Sequence, residues 1–338
     1  MKQLLVIALL CSCSEDYLPK GAPDGDPVIV ENVALPADLP PLYREFYEEN
    51  GGLNYATVAG ARMAYVDNRV ADKPTVVLLH GLPDNNFLYR DVIREIGNRF
   101  RVIAPDHIGY GLSDRPEVTY SFSTLSQYLE GFIKALDLKN VHLVVTDVGG
   151  PAGLGVAARN PALIQTITMY ETLWLPVDDL ANSNYAEPFQ EFLLNVREPG
   201  LGEEIVIENN QILAFLDQLT VTDMRPEVFE VYRYPWQTKE ARRVMLENTR
   251  SIPVAGQPAD SKKLFDNFVE YLSASTIPKL VIEAQPGAIS PSFYVDQAVE
   301  LFPNTSREVI NGAGHFVTED KPREFTDVLV GFIEREDQ

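Results

Sequence analysis

The sequence predicts an α/β fold: a mostly parallel central sheet flanked by helices and interrupted by an inserted helical cap. Three observations carry this expectation. Short apolar runs such as "PTVVLLHG" and "RVIAPDHIGYG" end abruptly at polar or glycine residues, which is how buried parallel strands with loops at their carboxyl ends are written. Strand-like and helix-like segments alternate along most of the chain, as they do in an open sheet covered by crossover helices. From about Leu173 to Ala255 that alternation lapses into aromatic-rich sequence without a strand series. With 338 residues, 45% of them apolar, the chain has ample material for a substantial core.

The elements follow in order. The opening "MKQLLVIALLCSCSEDY" has one Lys, then an apolar run from Leu4 to Cys11, then small and polar residues. It is too short to span a bilayer and reads as an export signal over residues 1–12. Its "LCSC" ending resembles the cleavage box of bacterial lipoproteins, so Cys13 is expected as the first mature residue and the site of a lipid anchor. The mature protein would then be held at a bacterial membrane, in the periplasm or at the cell surface. Cys11 and Cys13 are the only two cysteines, which leaves the body without a disulfide, a thiol nucleophile or a cysteine metal ligand. Residues 13–49 are rich in Pro, Asp and Gly up to Pro41 and are expected to form a tether or surface arm.

Residues 50–171 and 256–338 are expected to form the core. "ATVAGARMAYVD" reads as two strands turning at Gly60, and the two apolar runs quoted above come next. Leu125, Leu129, Phe132, Ile133 and Leu136 recur at helical spacing. "VHLVV", a helix over residues 151–159 and "LIQTITMYE" continue the alternation. Residues 172–255 are expected as the cap, with helical pieces such as "NNQILAFLDQL" and "KEARRVMLENT", a common device for closing an apolar pocket. The core resumes with "KLFDNFVEYL", "PKLVIEA", "FYVDQAVELF", "SREVI" and a final helix through "FTDVLVGFI". No internal repeat points to a solenoid or propeller.

There are 28 basic and 49 acidic residues, a formal net charge of −21. That surface would repel nucleic acid and anionic lipid, and nucleic-acid binding is excluded as an expectation. The charge does not fix the substrate, because a pocket can be apolar beneath an acidic exterior.

The chemistry centres on "VTDVG". Asp147 stands where a buried strand gives way to the small-residue start of a helix, the position that holds serine in the G-x-S-x-G elbow of α/β-hydrolases. Such an elbow lifts the side chain above the sheet, within reach of backbone amides that stabilise developing negative charge. Taken alone, an aspartate there is as readily a turn or helix-cap residue as a nucleophile.

The segments "HGLPDNNFLYRDVI", "IAPDHIGYGLSD", "VVTDVGGPAGLGVAARNP", "IPVAGQPAD", "PKLVIEAQPGAI" and "NGAGHFVTEDKP" together resemble the haloalkane dehalogenase family of α/β-hydrolases, from roughly Tyr55 to Ile333. "PKLVIEAQPG" and the acid in "MYE" look most like the subfamily that also contains the coelenterazine luciferases. The resemblance implies Asp147 as nucleophile, His315 as base and Glu171 as the acid that orients the histidine, with the backbone amides of Leu82 and Val148 forming the oxyanion hole. It implies no cofactor or metal, and a small apolar electrophile and water as reactants. A carboxylate attacking saturated carbon displaces a leaving group and forms an alkyl ester, which a histidine-activated water then hydrolyses. His80, His107 and His142 are expected in structural roles, as is Asp106; Glu283 and Asp296 are weaker alternatives for the acid.

The chain departs from the family at the leaving-group site. Many members carry a Trp after the nucleophile and an Asn after the His-Gly pair, where this chain has Val148 and Leu82. Two lost hydrogen bonds, at about 1.5 to 3 kcal/mol each, would slow halide departure by about two to four powers of ten if uncompensated. Luciferase activity is disfavoured by the same two positions. Tyr170, Trp174, Tyr232, Tyr234 and Trp236 are the candidate replacement donors. Epoxide hydrolysis is the alternative within this chemistry, with Tyr232 or Tyr234 protonating the opening ring, and a non-catalytic binding protein on the same scaffold is the second.

Overall fold

The computed structural model describes residues 30–177, 180, 183 and 185–337. The expected signal segment, both cysteines and the expected lipid site at Cys13 lie outside the described residues. Among the described residues, no helix is long and apolar enough to cross a membrane.

Nine strands form one sheet: β1 (Val30–Val33), β2 (Leu53–Val58), β3 (Ala61–Asp67), β4 (Thr75–Leu79), β5 (Arg101–Pro105), β6 (Val141–Asp147), β7 (Ile164–Thr172), β8 (Lys279–Pro286) and β9 (Thr305–Ala313). Their order across the sheet is β1-β2-β3-β5-β4-β6-β7-β8-β9. The first three strands and the β3–β5 pairing are antiparallel, and all later pairings are parallel. The β2–β3 hairpin turns at Ala59 and Gly60, both with positive φ, as that tight turn requires. The buried residues of β4 are all apolar, and those of β6 are apolar apart from His142 and Thr146, the composition of strands covered on both faces.

The helices of the core are α1 (Pro41–Glu49), α2 (Arg90–Ile96), α3 (Phe122–Ala135) and α4 (Gly149–Arg159). Those of the insertion between β7 and β8 are α5 (Glu187–Asn195), α6 (Gln211–Ala214), α7 (Pro226–Arg233) and α8 (Lys239–Arg250). The core then closes with α9 (Ala259–Ala274), α10 (Ser292–Leu301), α11 (Val317–Asp320) and α12 (Pro322–Glu336). α3, α4 and α9 pack together on the sheet, while α2 and α12 form a second helical layer. Ser121 caps α3 by accepting the Thr124 N–H at 3.2 Å.

The insertion is gathered at a neck. Val177 pairs with Val254 in a parallel bridge, and the Ala255 N–H donates to the Val177 carbonyl at 3.0 Å. One expected helical piece, "NNQILAFLDQL", is broken: α6 stops at Ala214 and a short 3-10 turn covers Leu216–Gln218.

The expectation of a tether or surface arm over residues 13–49 is corrected for residues 30–49, which are built into the fold. β1 adds to the sheet edge against β2. α1 buries Tyr43, Phe46 and Tyr47 against the core, and the three aromatics at i, i+3 and i+4 are the reason it docks.

The topology also places the site. From β4 the chain crosses to β5 on one side and returns to β6 on the other, so β4 and β6 are neighbours whose following loops diverge. That crevice at the carboxyl ends of the strands is where open α/β sheets bind their ligands.

Candidate active site

Asp147 is the last residue of β6, with φ at +43°, and α4 begins two residues later. A non-glycine residue in this left-handed region is strained, and the sharp turn is what projects the carboxylate above the sheet. The neighbouring loop packs against it so closely that a Cβ on Gly81 would lie 2.5 Å from the Asp147 Cβ. This closeness brings the Leu82 N–H to Asp147 Oδ1 at 2.8 Å, while the Val148 N–H reaches the same oxygen at 2.7 Å. Oδ1 therefore occupies a two-amide hole, and Oδ2 carries the free lone pairs.

Glu171, near the end of β7, also has a positive φ of +42°. Its fully buried carboxylate accepts the N–H groups of Ala288 and Ile289 at 2.9 Å and of Ser290 at 3.3 Å. His315, just beyond β9, completes the set: Nδ1 donates to Glu171 Oε2 at 3.1 Å, and Nε2 lies 3.6 Å from Asp147 Oδ2. The carboxylate at Nδ1 fixes the tautomer, leaving a lone pair on Nε2 directed at Asp147. The three residues expected to converge thus do so from three strand ends.

Burial, followed by the charge of Asp84, pushes the Asp147 carboxyl up to about 6 against the opposing pull of His315. For His315 burial acts downward, but the bond to Glu171 and the charges of Asp147 and Glu171 outweigh it, and its pKa is raised. The side chain of Asp147 keeps 14% exposure, against 4% for His315, so the carboxylate is the part of the triad open to a substrate.

The five candidate donors are committed elsewhere. Tyr170 donates to the Tyr89 hydroxyl at 3.1 Å, and its ring meets Phe325 of α12 edge-on. Trp174 stacks on Tyr294 and gives its Nε1–H to the Tyr294 carbonyl at 3.3 Å. Trp236 Nε1–H goes to the Pro83 carbonyl at 2.6 Å. Tyr232 donates to Glu319 at 2.5 Å and Tyr234 to Asp38 at 3.2 Å. The hydroxyls expected to serve an epoxide are thus turned toward carboxylates. Leu82 is partly buried and Val148 is 6% exposed, and neither side chain carries a donor.

The remaining histidines hold loops. His80 Nε2 accepts the His107 N–H at 3.0 Å and its Nδ1 donates to the Gly81 carbonyl at 2.8 Å, bracing the segment that carries Leu82. His107 Nε2 returns a bond to the His80 carbonyl at 3.1 Å, and His142 meets Thr166 within the sheet at 3.0 Å. Asp106 takes the amides of Asn86 and Leu112 at 2.8 and 2.9 Å. Glu283 bonds Ser292 and Gln285, and Asp296 pairs with Arg307, so neither serves His315.

Two features were missed by the sequence reading. The amides that hold Glu171 come from the loop after "EAQPG"; Gly287, at φ +62°, would otherwise place a Cβ 2.8 Å from Glu171 Oε1. The Pro-Gly pair was the available signal for that turn. Asp84, 2% exposed, joins His80 Nδ1 at 3.4 Å and adds negative potential at Asp147; nothing in its local sequence distinguished it from a loop aspartate.

Comparisons with known proteins agree with this architecture. The alpha/beta hydrolase fold family matches residues 74–322. A haloalkane dehalogenase of Agrobacterium fabrum is 30% identical over 261 residues, covering 77% of this chain and 85% of the relative. One from Sphingobium indicum is 32% identical over 292 residues, covering 84% and 96%. The crystal structure of the haloalkane dehalogenase DbeA from Bradyrhizobium elkani superposes with a TM-score of 0.81 at 29% identity, covering 85% of this chain and 98% of that one. On the strength of this similarity along most of its length, the chain belongs to the haloalkane dehalogenase family of α/β-hydrolases and is a hydrolase of that type.

Proposed function

We propose that the chain hydrolyses small apolar alkyl electrophiles through a covalent ester on Asp147, with halide release weakened by its leaving-group site. The observation that carries this reading is the split environment of the carboxylate: Oδ1 sits in two backbone amides and Oδ2 faces the base. Oδ2 forms a bond to the substrate carbon while the carbon–leaving-group bond breaks, and the leaving group departs with the electron pair. His315 Nε2 then takes a proton from water, and the hydroxide adds to the Asp147 carboxyl carbon. The Leu82 and Val148 amides stabilise the negative charge that develops on Oδ1. Collapse breaks the bond to Oδ2 and the alcohol leaves with the proton returned from His315; the acid left on Asp147, which holds one oxygen from water, then loses its remaining proton to solvent and the carboxylate is restored. Glu171, held by three amides, orients the ring and steadies the imidazolium.

The test is to incubate the His315→Ala variant with bromobutane and digest it. A butyl group is expected on the peptide carrying Asp147, because alkylation does not need the base. In water labelled with heavy oxygen, a single turnover of the unmodified enzyme should place the label in Asp147 and not in the first alcohol. A butyl adduct that survives Asp147→Ala, or label appearing directly in the first alcohol, overturns the reading.

The site's position is the second part of this proposal: an exported protein carrying lipid on Cys13. Mass spectrometry of the native amino terminus tests it, and an unprocessed chain beginning at Met1 without lipid refutes it.

A further inference from the structure

The main chain around His315 is tied to the insertion as well as to the sheet. The His315 N–H donates to the Leu219 carbonyl at 2.7 Å, and Leu219 follows the 3-10 turn of the insertion. Immediately beyond it, the Val221 N–H lies 3.0 Å from both oxygens of Asp320, and the Thr222 N–H reaches Asp320 Oδ1 at 2.7 Å. Oδ2 of the same carboxylate accepts the N–H of Gly314 at 2.8 Å. One side chain at the end of α11 thus joins the residue preceding His315 to a strap of cap backbone.

The approach is close enough to demand glycine. A Cβ on Gly314 would stand 2.4 Å from the Leu219 oxygen and 3.0 Å from its carbonyl carbon, both main-chain atoms that cannot rotate away. A second tie lies beside the first: Tyr232 of α7 donates to Glu319, whose carboxylate is also held by the two terminal nitrogens of Arg90 at 2.5 and 2.6 Å. The cap tyrosine considered as a proton donor is an anchor.

Glu171 fixes one ring nitrogen of His315, but a single bond leaves the ring free to pivot about it. The direction of Nε2 depends on where the backbone holds the Cα. That position is set by the N–H groups of residues 314 and 315, and both are bonded to the strap or to the carboxylate that grips it.

We propose that Asp320 is a positioning residue, and that cap residues 219–222 complete the catalytic base by locking the His315 main chain when the cap is seated. The inference rests on the Asp147 ester reading. Attack by Oδ2 on carbon needs no histidine, whereas water activation requires Nε2 to be aimed. The strap therefore acts on the second half-reaction and leaves the first untouched.

Two variants separate this role from a purely structural one. Asp320→Asn keeps the volume but faces an amide N–H group with a donor, and Gly314→Ala wedges the Leu219 carbonyl away. With bromobutane as probe, both should form the Asp147 adduct within about twofold of the wild-type rate and hydrolyse it about tenfold to a hundredfold more slowly. In proton NMR a low-field resonance is expected for the wild-type His315 Nδ1–H through its bond to Glu171, and it should weaken or broaden in both variants. Wild-type adduct decay with an unchanged resonance overturns the proposal. So does a parallel fall in adduct formation and decay that tracks lost melting temperature, which would make Asp320 an ordinary fold contact. If Gly314→Ala does not fold, Asp320→Asn decides alone. If even His315→Ala forms no adduct, the ester reading fails, and the NMR comparison still decides whether the strap positions the histidine.

Discussion

At the scale of single residues, Asp147 carries a cost that should be measurable. Its folded pKa is raised from 3.8 to about 6, so the protonated form is the one the fold favours. The associated stability is fully present below the unfolded value and is lost as pH rises through about 6. At pH 8 the ionised carboxylate then costs up to about 3 kcal/mol, while Asn can place its oxygen in the same two-amide hole. Asp147→Asn is therefore expected to abolish turnover yet melt higher than the wild type at pH 8, with the gap closing as pH falls toward 4; urea or thermal melts across that range check it. The rate of adduct formation in the wild type should rise through the same window as Asp147 ionises. A second residue-scale prediction concerns the leaving group. Leu82→Asn restores one donor at a partly buried position and should speed bromide release about tenfold or more. Val148→Trp should add to it only if the buried site accepts the ring, since overpacking costs about 1 to 3 kcal/mol. Unchanged bromide release in Leu82→Asn would show that the missing donor does not limit the reaction.

At the scale of elements, the turn after β8 does work that the triad alone does not show. Gly287→Ala would set a methyl 2.8 Å from Glu171 Oε1 and 2.7 Å from the Ala284 carbonyl at a positive φ. It should lower stability by about 1 to 3 kcal/mol and slow ester hydrolysis more than ester formation, because it displaces the partner of His315 and not Asp147. Equal slowing of both half-reactions would argue against that division. The elements themselves were legible to different degrees. β4, β6 and α3 announce themselves by continuous apolar runs or by helical spacing, because their burial is one-dimensional in the sequence. β1 and α1 do not: Pro and Gly upstream mask three aromatics whose role depends on a partner surface far along the chain.

At the scale of the whole molecule, α1 is where the amino-terminal segment, the core and the cap meet. Phe46 and Tyr43 pack on Phe87, and α1 also touches α7 of the insertion. Nearby, Tyr234 of the insertion reaches back to Asp38. Phe46→Ala is expected to cost about 3 to 5 kcal/mol, the usual range for deleting a buried phenyl ring. A peripheral arm would cost almost nothing, so a denaturation midpoint within error of the wild type would restore the tether reading. The insertion is pinned at its neck by Val177 and Val254 and at its far side by the Asp320 and Glu319 contacts. The same contacts join the insertion to the segment that carries His315.

The sequence by itself determined the alternation of strands and helices, the position of the insertion, and the three residues that meet above the sheet. The first two are written locally, as periodicity and as a lapse in it; the three residues were indicated by the resemblance of their motifs to the haloalkane dehalogenase family. Only the tertiary structure decided the rest. It turned five aromatic side chains away from the leaving-group role and toward Tyr89, Tyr294, Pro83, Glu319 and Asp38. It added the charge of Asp84 to the field at Asp147 and bound the His315 loop to Leu219. The physical reason is that a hydrogen-bond donor's partner is chosen by distance in space, across separations of 80 to 200 residues in the chain, and no local pattern records which of many available acceptors lies within 3 Å.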